Sequence, residues 1–224
     1  MQDPFLFQRN QAAELFIVRH GDAIPEEDEI IPSGIYDDLP LSRIGREQAE
    51  ALAERLSDAR FDAMYSSPLL RCQQTAAPLA ERLHMTPTLV PGIQEIRLGQ
   101  IRPLPQDHED VAALTQALKE RQVDIMSIAG ATGHWDAIEN SEPSKEFRQR
   151  VVNAMDEIAS KHIGERVIVF CHGGVINAYA AEVLGLEKDF FFPAANTSIT
   201  VVRVAGKQRV LYVMNDIAHV KRHV

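Results

Sequence analysis

Apolar positions along the chain fall into short unbroken runs that alternate with stretches at helical spacing. Leu15-Phe16-Ile17-Val18, preceded by Glu14, is such a run and predicts a strand covered on both faces. It leads directly into Arg19-His20-Gly21. Asp22 to Asp38 is rich in acidic residues, Pro and Gly and reads as a loop. Ser42 has the character of a helix N-cap, and Ile44, Ala49, Leu52, Ala53 and Leu56 follow at helical spacing. Phe61 to Tyr65 predicts a second strand. Ser66-Ser67-Pro68 predicts a helix start, with Ser67 as cap and Pro68 at the first helical position, and a helix running to about Leu83. A short third strand is expected at Thr88-Leu89-Val90.

From Ile96 to Asn140 the pattern is weaker. Val111 to Val123 is helical in spacing, and Pro103, Pro105, Gly130 and Gly133 flank it, so residues 96–140 read as an insertion over one end of a sheet, above the active site. Pro143 opens a further helix to about His162. Arg166 to Phe170 predicts a buried strand ending at Cys171-His172-Gly173-Gly174, with a helix from about Val175 to Leu184 after it. Ser198 to Val204 and Arg209 to Val213 predict a hairpin turning at Ala205-Gly206-Lys207.

Strands alternating with helices imply an α/β fold, a three-layer α/β/α sandwich around a mostly parallel sheet. At 224 residues the chain fits one domain, 1–224. Ligands in such folds bind beyond the carboxyl ends of the strands. Two predicted buried strands end there in histidine, His20 and His172, and a third leads through Ser66-Ser67-Pro68 to Arg71.

The formal net charge of −9 argues against nucleic acid or an anionic membrane as partner. It leaves room for a small anionic substrate held by a local group of arginines. Cys72 and Cys171 show no zinc-ligand spacing. They could pair or stay reduced. The N-terminal residues carry no signal-peptide pattern and no apolar run approaches the roughly 20 residues that span a bilayer. Reduced thiols and a cytoplasmic location are therefore expected. The oligomeric state is left open, with a homodimer among the alternatives.

Candidate chemistry gathers at the strand ends. Arg19 offers a planar fork of donors suited to phosphate, and Gly21 leaves space for a ligand to approach the backbone. His172-Gly173-Gly174 repeats the arrangement, with N–H groups of the next helix available to an anion. Arg71, early in its helix, adds a guanidinium to the helix dipole.

These residues resemble the histidine phosphatase superfamily, the phosphoglycerate mutase-like family, and within it the smaller phosphatase branch. The resemblance takes in Leu15 to Gly21, Asp38-Leu39-Pro40-Leu41-Ser42 with Gly45 and Gln48-Ala49, and Tyr65 to Arg71 with Gln74-Thr75-Ala76. It continues through Glu95 with Gly99, Val169 to Gly174, and Asn215-Asp216 with His219. It implies that His20 attacks phosphorus to form a phosphohistidine and that Arg19, Arg71 and His172 hold the phosphoryl oxygens, His172 as a cation. Glu95 would be the proton donor and later the base. A hydrogen bond from the other ring nitrogen of His20 to a carbonyl would fix its tautomer. The scheme calls for no metal and no cofactor, and its substrate is a small phosphorylated metabolite.

Two features depart from the pattern. Glu26 stands where many family members place a phosphate-holding Asn, and its acidic loop is expected to point outward as a solvated loop, the alternative being that one of its carboxylates meets a cationic part of the substrate. Ser33 and Gly34 resemble a substrate-contacting pair of the mutases, with the spacing to Leu41-Ser42 off by about a residue. A bisphosphate-dependent mutase, a protein phosphohistidine or phosphotyrosine phosphatase and a catalytically silent binding module are the competing readings. The 96–140 segment is not strongly basic, which favours the phosphatase over the mutase.

Overall fold

The computed structural model describes residues 9–26, 28–29, 38–99, 101, 104 and 110–220. Ser33 and Gly34 lie outside the described residues. The central sheet has the strand order β3-β2-β4-β1-β5-β6. Its members are β1 (Ala13–Arg19), β2 (Ala63–Ser66), β3 (Thr88–Leu89), β4 (Arg166–Cys171), β5 (Ile199–Ala205) and β6 (Gln208–Asp216). β3, β2, β4 and β1 run parallel, and the β5–β6 hairpin adds antiparallel to β1.

The helices are α1 (Arg43–Arg55), α2 (Leu70–Leu83), α3 (Val111–Thr132), α4 (Ser144–Lys161) and α5 (Gly173–Leu184). Alternate side chains of the central strands feed two separate cores. Leu15, Ile17, Val167 and Val169 pack with Phe147, Met155, Ile176 and Tyr179 of α4 and α5. Val18, Ile168 and Phe170 pack with Leu52, Ala53, Cys72 and Leu79 of α1 and α2. Both faces of β1 and β4 are covered, which is why those strands read as unbroken apolar runs. The layered fold is the expected one.

Element ends differ from expectation where a side chain finds a tertiary partner. Ser42 caps α1 as expected, its Oγ accepting from Gly45 N at 3.0 Å. Ile44, expected on the buried face of α1, is 46% exposed. Ser67 does not cap α2. That helix begins at Leu70, and Asp38 Oδ1 accepts from Leu70 N at 2.7 Å in place of a local cap. The helix expected to end near Val123 runs on to Thr132, where Gly133 closes it at φ +78°. α5 starts directly after His172, two residues earlier than its apolar pattern suggests. Among the described residues no helix is long and apolar enough to cross a membrane.

Candidate active site

β1 and β4 are neighbours in register, Arg19 opposite Cys171, so the residues that follow them emerge side by side. His20 and His172 are both buried, and their rings meet edge to face with centroids 5.2 Å apart. His20 Nδ1 donates to the Gly21 carbonyl at 2.6 Å. That bond places the ring proton on Nδ1 and leaves a lone pair on Nε2. Arg71 Nε donates to that lone pair at 3.2 Å. Arg71 reaches it from the first turn of α2, with Asp38 Oδ1 at 3.9 Å behind its guanidinium.

Arg19 completes the cationic wall. Its Nη1 donates to the Ala194 carbonyl at 2.6 Å, and its Nε is buried without a partner among the described residues. An added Cβ at Gly173 would lie 3.6 Å from that Nε, so glycine keeps the approach to it open.

Burial, and then the guanidiniums of Arg71 and Arg19, push the His20 pKa well below the usual imidazole range. Burial, followed by Arg71, His20 and Arg19, does the same to His172. Both rings are therefore neutral in the free protein. In the free protein a third positive charge beside two guanidiniums, in a space shielded from water, is unfavourable; the cationic His172 expected from the sequence is one that shares the charge of a bound phosphate. His172 Nε2 lies 2.8 Å from Ser67 Oγ, which also accepts from Leu69 N at 3.3 Å just ahead of α2.

Glu95 enters from the loop after β3. Its Oε1 accepts from its neighbour Ile96 N at 3.1 Å and its Oε2 from Gly174 N at 3.1 Å. The helix N-terminus expected to serve a ligand anion thus serves this carboxylate. Burial raises the Glu95 pKa above the usual carboxylate range, against the opposing pull of the two N–H donors and of Arg71 and Arg19. A Cβ at Gly174 would fall 2.3 Å from Glu95 Oε1, so any side chain there would displace the carboxylate.

His20, Arg19, Arg71, His172 and Glu95 are thus brought to one rim of the sheet. A family model for the histidine phosphatase superfamily (branch 1) matches residues 15–217. The chain belongs to the histidine phosphatase superfamily. It is 29% identical over 214 residues to an Arabidopsis thaliana protein named metal-independent phosphoserine phosphatase, covering 94% of this chain and 84% of that one. It is 28% identical over 216 residues to phosphoglycerate mutase-like protein 4 of the same plant, covering 93% and 87%. The solved structure of Bacillus stearothermophilus YhfR superposes with a TM-score of 0.71 at 24% identity, covering 93% of this chain and 99% of that one.

In this histidine phosphatase three carboxylates of the acidic loop, Glu26, Asp28 and Glu29, pair with arginines of α1. Glu26 and Asp28 meet Arg43, and Glu29 lies 2.7 Å from Arg46. Gly21 also has a structural reason: an added Cβ would lie 2.6 Å from the Gly45 carbonyl oxygen, so the glycine admits the close approach of α1. The Gly21 N–H donates to Thr75 Oγ1 at 2.9 Å, and Asp22 Oδ2 accepts from Ser42 Oγ at 2.6 Å. These bonds lock the turn after His20 to α2 and α1. Thr115 of α3 donates to the Pro25 carbonyl at 3.0 Å, tying that helix to the same loop.

Proposed function

We propose that this enzyme hydrolyses a small phosphomonoester by two successive phosphoryl transfers through His20. The observation that carries the reading is the fixed tautomer of His20, with its Nε2 lone pair presented between Arg71 and His172. Phosphoryl transfer asks mainly for positioning and charge stabilisation. Arg71 would leave the lone pair for the phosphoryl oxygens, Arg19 would offer them its unpartnered Nε, and His172 would face them from β4. The dianion would offset the guanidiniums and make protonation of His172 favourable at that moment.

Glu95, protonated through burial, would give its proton to the departing alkoxide. It would then take one from the water that attacks the phosphohistidine, returning His20 to its starting state. We read residues 96–140, including α3, as the cover that sets the leaving-group specificity of a single domain. The named phosphoserine phosphatase among its relatives supports phosphoserine as the first substrate to test. We place the enzyme in the cytoplasm, a reading that the two buried free cysteines support. A homodimer is carried as a proposal for solution-mass measurement.

The resemblance to phosphoglycerate mutase-like protein 4 favours one second reading, a mutase. Incubation with phosphoserine, and with 3-phosphoglycerate in the presence and absence of 2,3-bisphosphoglycerate, separates them. Release of inorganic phosphate supports the phosphatase, and isomerisation without release defeats it.

A further inference from the structure

Asn215-Asp216 with His219 belongs to the family resemblance, yet no step of the chemistry uses it. His219 reaches the turn that grips the main chain of the nucleophile, one residue removed from it. Arg55, the last residue of α1, donates from Nη1 to Asp216 Oδ1 and to His219 Nδ1, each at 3.1 Å. Because Nδ1 of His219 accepts, the ring proton sits on Nε2, which donates to Thr197 Oγ1 at 3.1 Å. Burial and then the Arg55 guanidinium lower the His219 pKa, which keeps this neutral tautomer in place.

Thr197 is fully buried and has φ +54°, a left-handed conformation costly for a β-branched residue. Its N–H donates to the His20 carbonyl at 3.3 Å, and the neighbouring Asn196 Nδ2 donates to the same oxygen at 3.2 Å. Something must hold that strained turn, and the Thr197 hydroxyl is the handle. It accepts from His219 and donates to the Asn196 carbonyl at 2.8 Å. The same loop carries the Ala194 carbonyl that receives Arg19. It is fastened further by Asn177, which accepts from Phe191 N and Phe192 N at 3.0 and 3.2 Å, and by Asn215, which accepts from Ala195 N at 2.8 Å.

We infer that His219 is a positioning residue for His20, acting through the hydroxyl of Thr197 to hold the turn that grips the nucleophile's carbonyl. The inference rests on His20 being the nucleophile. Strain of this kind persists where surrounding bonds over-determine it, and misplacement of a reacting group by an ångström is costly to rate.

The test compares His219→Gln with His219→Asn in the full chain, using p-nitrophenyl phosphate. Gln places an amide N–H near the position of Nε2 and keeps the donor to Thr197. Asn keeps an acceptor near Nδ1 for Arg55 but offers Thr197 nothing. Asn should lower kcat about 10- to 100-fold with KM little changed, and Gln should recover most of that loss. Thr197→Val, which removes the hydroxyl, should match Asn, and the double variant Thr197→Val/His219→Asn should lose no more than either single change. Equal kcat for the Gln and Asn variants, whether both near wild type or both impaired, overturns the inference, as does additivity in the double variant. His20→Ala serves as the control. If it is inactive while the His219 variants match wild type, only the positioning role falls. If it keeps wild-type activity, the nucleophile assignment falls and this role with it.

Discussion

Arg71 Nε lies 3.2 Å from His20 Nε2 and so covers, in the free protein, the lone pair proposed to attack phosphorus. The guanidinium does two things from that position. It orients the imidazole, and it lowers the imidazole's proton affinity. A substrate must draw Arg71 onto its own oxygens before His20 is free, which couples anion binding to release of the nucleophile.

Arg71→Gln should therefore alter the pH profile as well as the rate. His20 must be neutral to attack, and its lowered pKa keeps it neutral into the acid range. Without the Arg71 charge that pKa rises, so the acid limb of kcat/KM should move to higher pH. The rate at neutral pH should fall about 100-fold or more, as expected for loss of a transition-state charge. Initial-rate profiles of the two proteins check both points, and an unmoved acid limb would count against the contact.

Glu95→Gln should slow alkyl phosphates more than p-nitrophenyl phosphate in the phosphorylation step, because nitrophenolate leaves with little protonation. In the proposed mechanism Glu95 acts first as an acid, and its raised pKa carries the protonated form upward in pH. Activity on alkyl phosphates should decline as pH rises through that pKa, and the decline should disappear in the variant. Equal slowing of nitrophenolate and alkoxide release in single-turnover experiments would remove the acid role.

Gly174→Ala should mimic Glu95→Gln. The new methyl group would occupy the place of Glu95 Oε1, so the carboxylate must swing away. In single-turnover phosphorylation, loss on alkyl phosphates of about 10- to 100-fold is expected, with p-nitrophenyl phosphate less affected. Comparing the two substrates on this variant gives the answer.

Glu14 supplies a stability prediction away from the site. Burial alone would raise its pKa, but hydrogen bonds and charge from Arg166 and Arg203 outweigh burial, so the folded value lies below the ordinary one. The folded protein then binds this proton less readily than the unfolded chain. The resulting stability is present above the unfolded pKa, near 4.3, and is lost as pH falls through the folded value. Glu14→Gln should cost about 2 kcal/mol at neutral pH. The difference in Tm from wild type should shrink as a thermal series descends into acid.

The sequence carried the site's main members because their positions have local signatures. His20 and His172 each end an unbroken apolar run, and Arg71 follows a Ser-Pro helix start. Ser67 was misassigned for the same reason: its local context is that of a cap, and only the fold reveals that His172 shares its hydroxyl. Gly21 invited a ligand-facing role, and only the fold adds its close neighbour Gly45, 24 positions along the chain. The charge state of His172 depends on burial beside two guanidiniums, which no sequence window encodes. Asp38 and Thr197 act across 32 and 177 positions, on α2 and on His20, and no local pattern announces either contact.

The most direct test of the central claim is a rapid-quench reaction of Glu95→Gln with labelled p-nitrophenyl phosphate. This variant should phosphorylate readily and hydrolyse the phosphoenzyme slowly. A burst of nitrophenolate equal to the enzyme present, with acid-labile phosphate mapped to His20, is the predicted result. Phosphate on another residue, or turnover by single displacement with inversion at phosphorus, would contradict it.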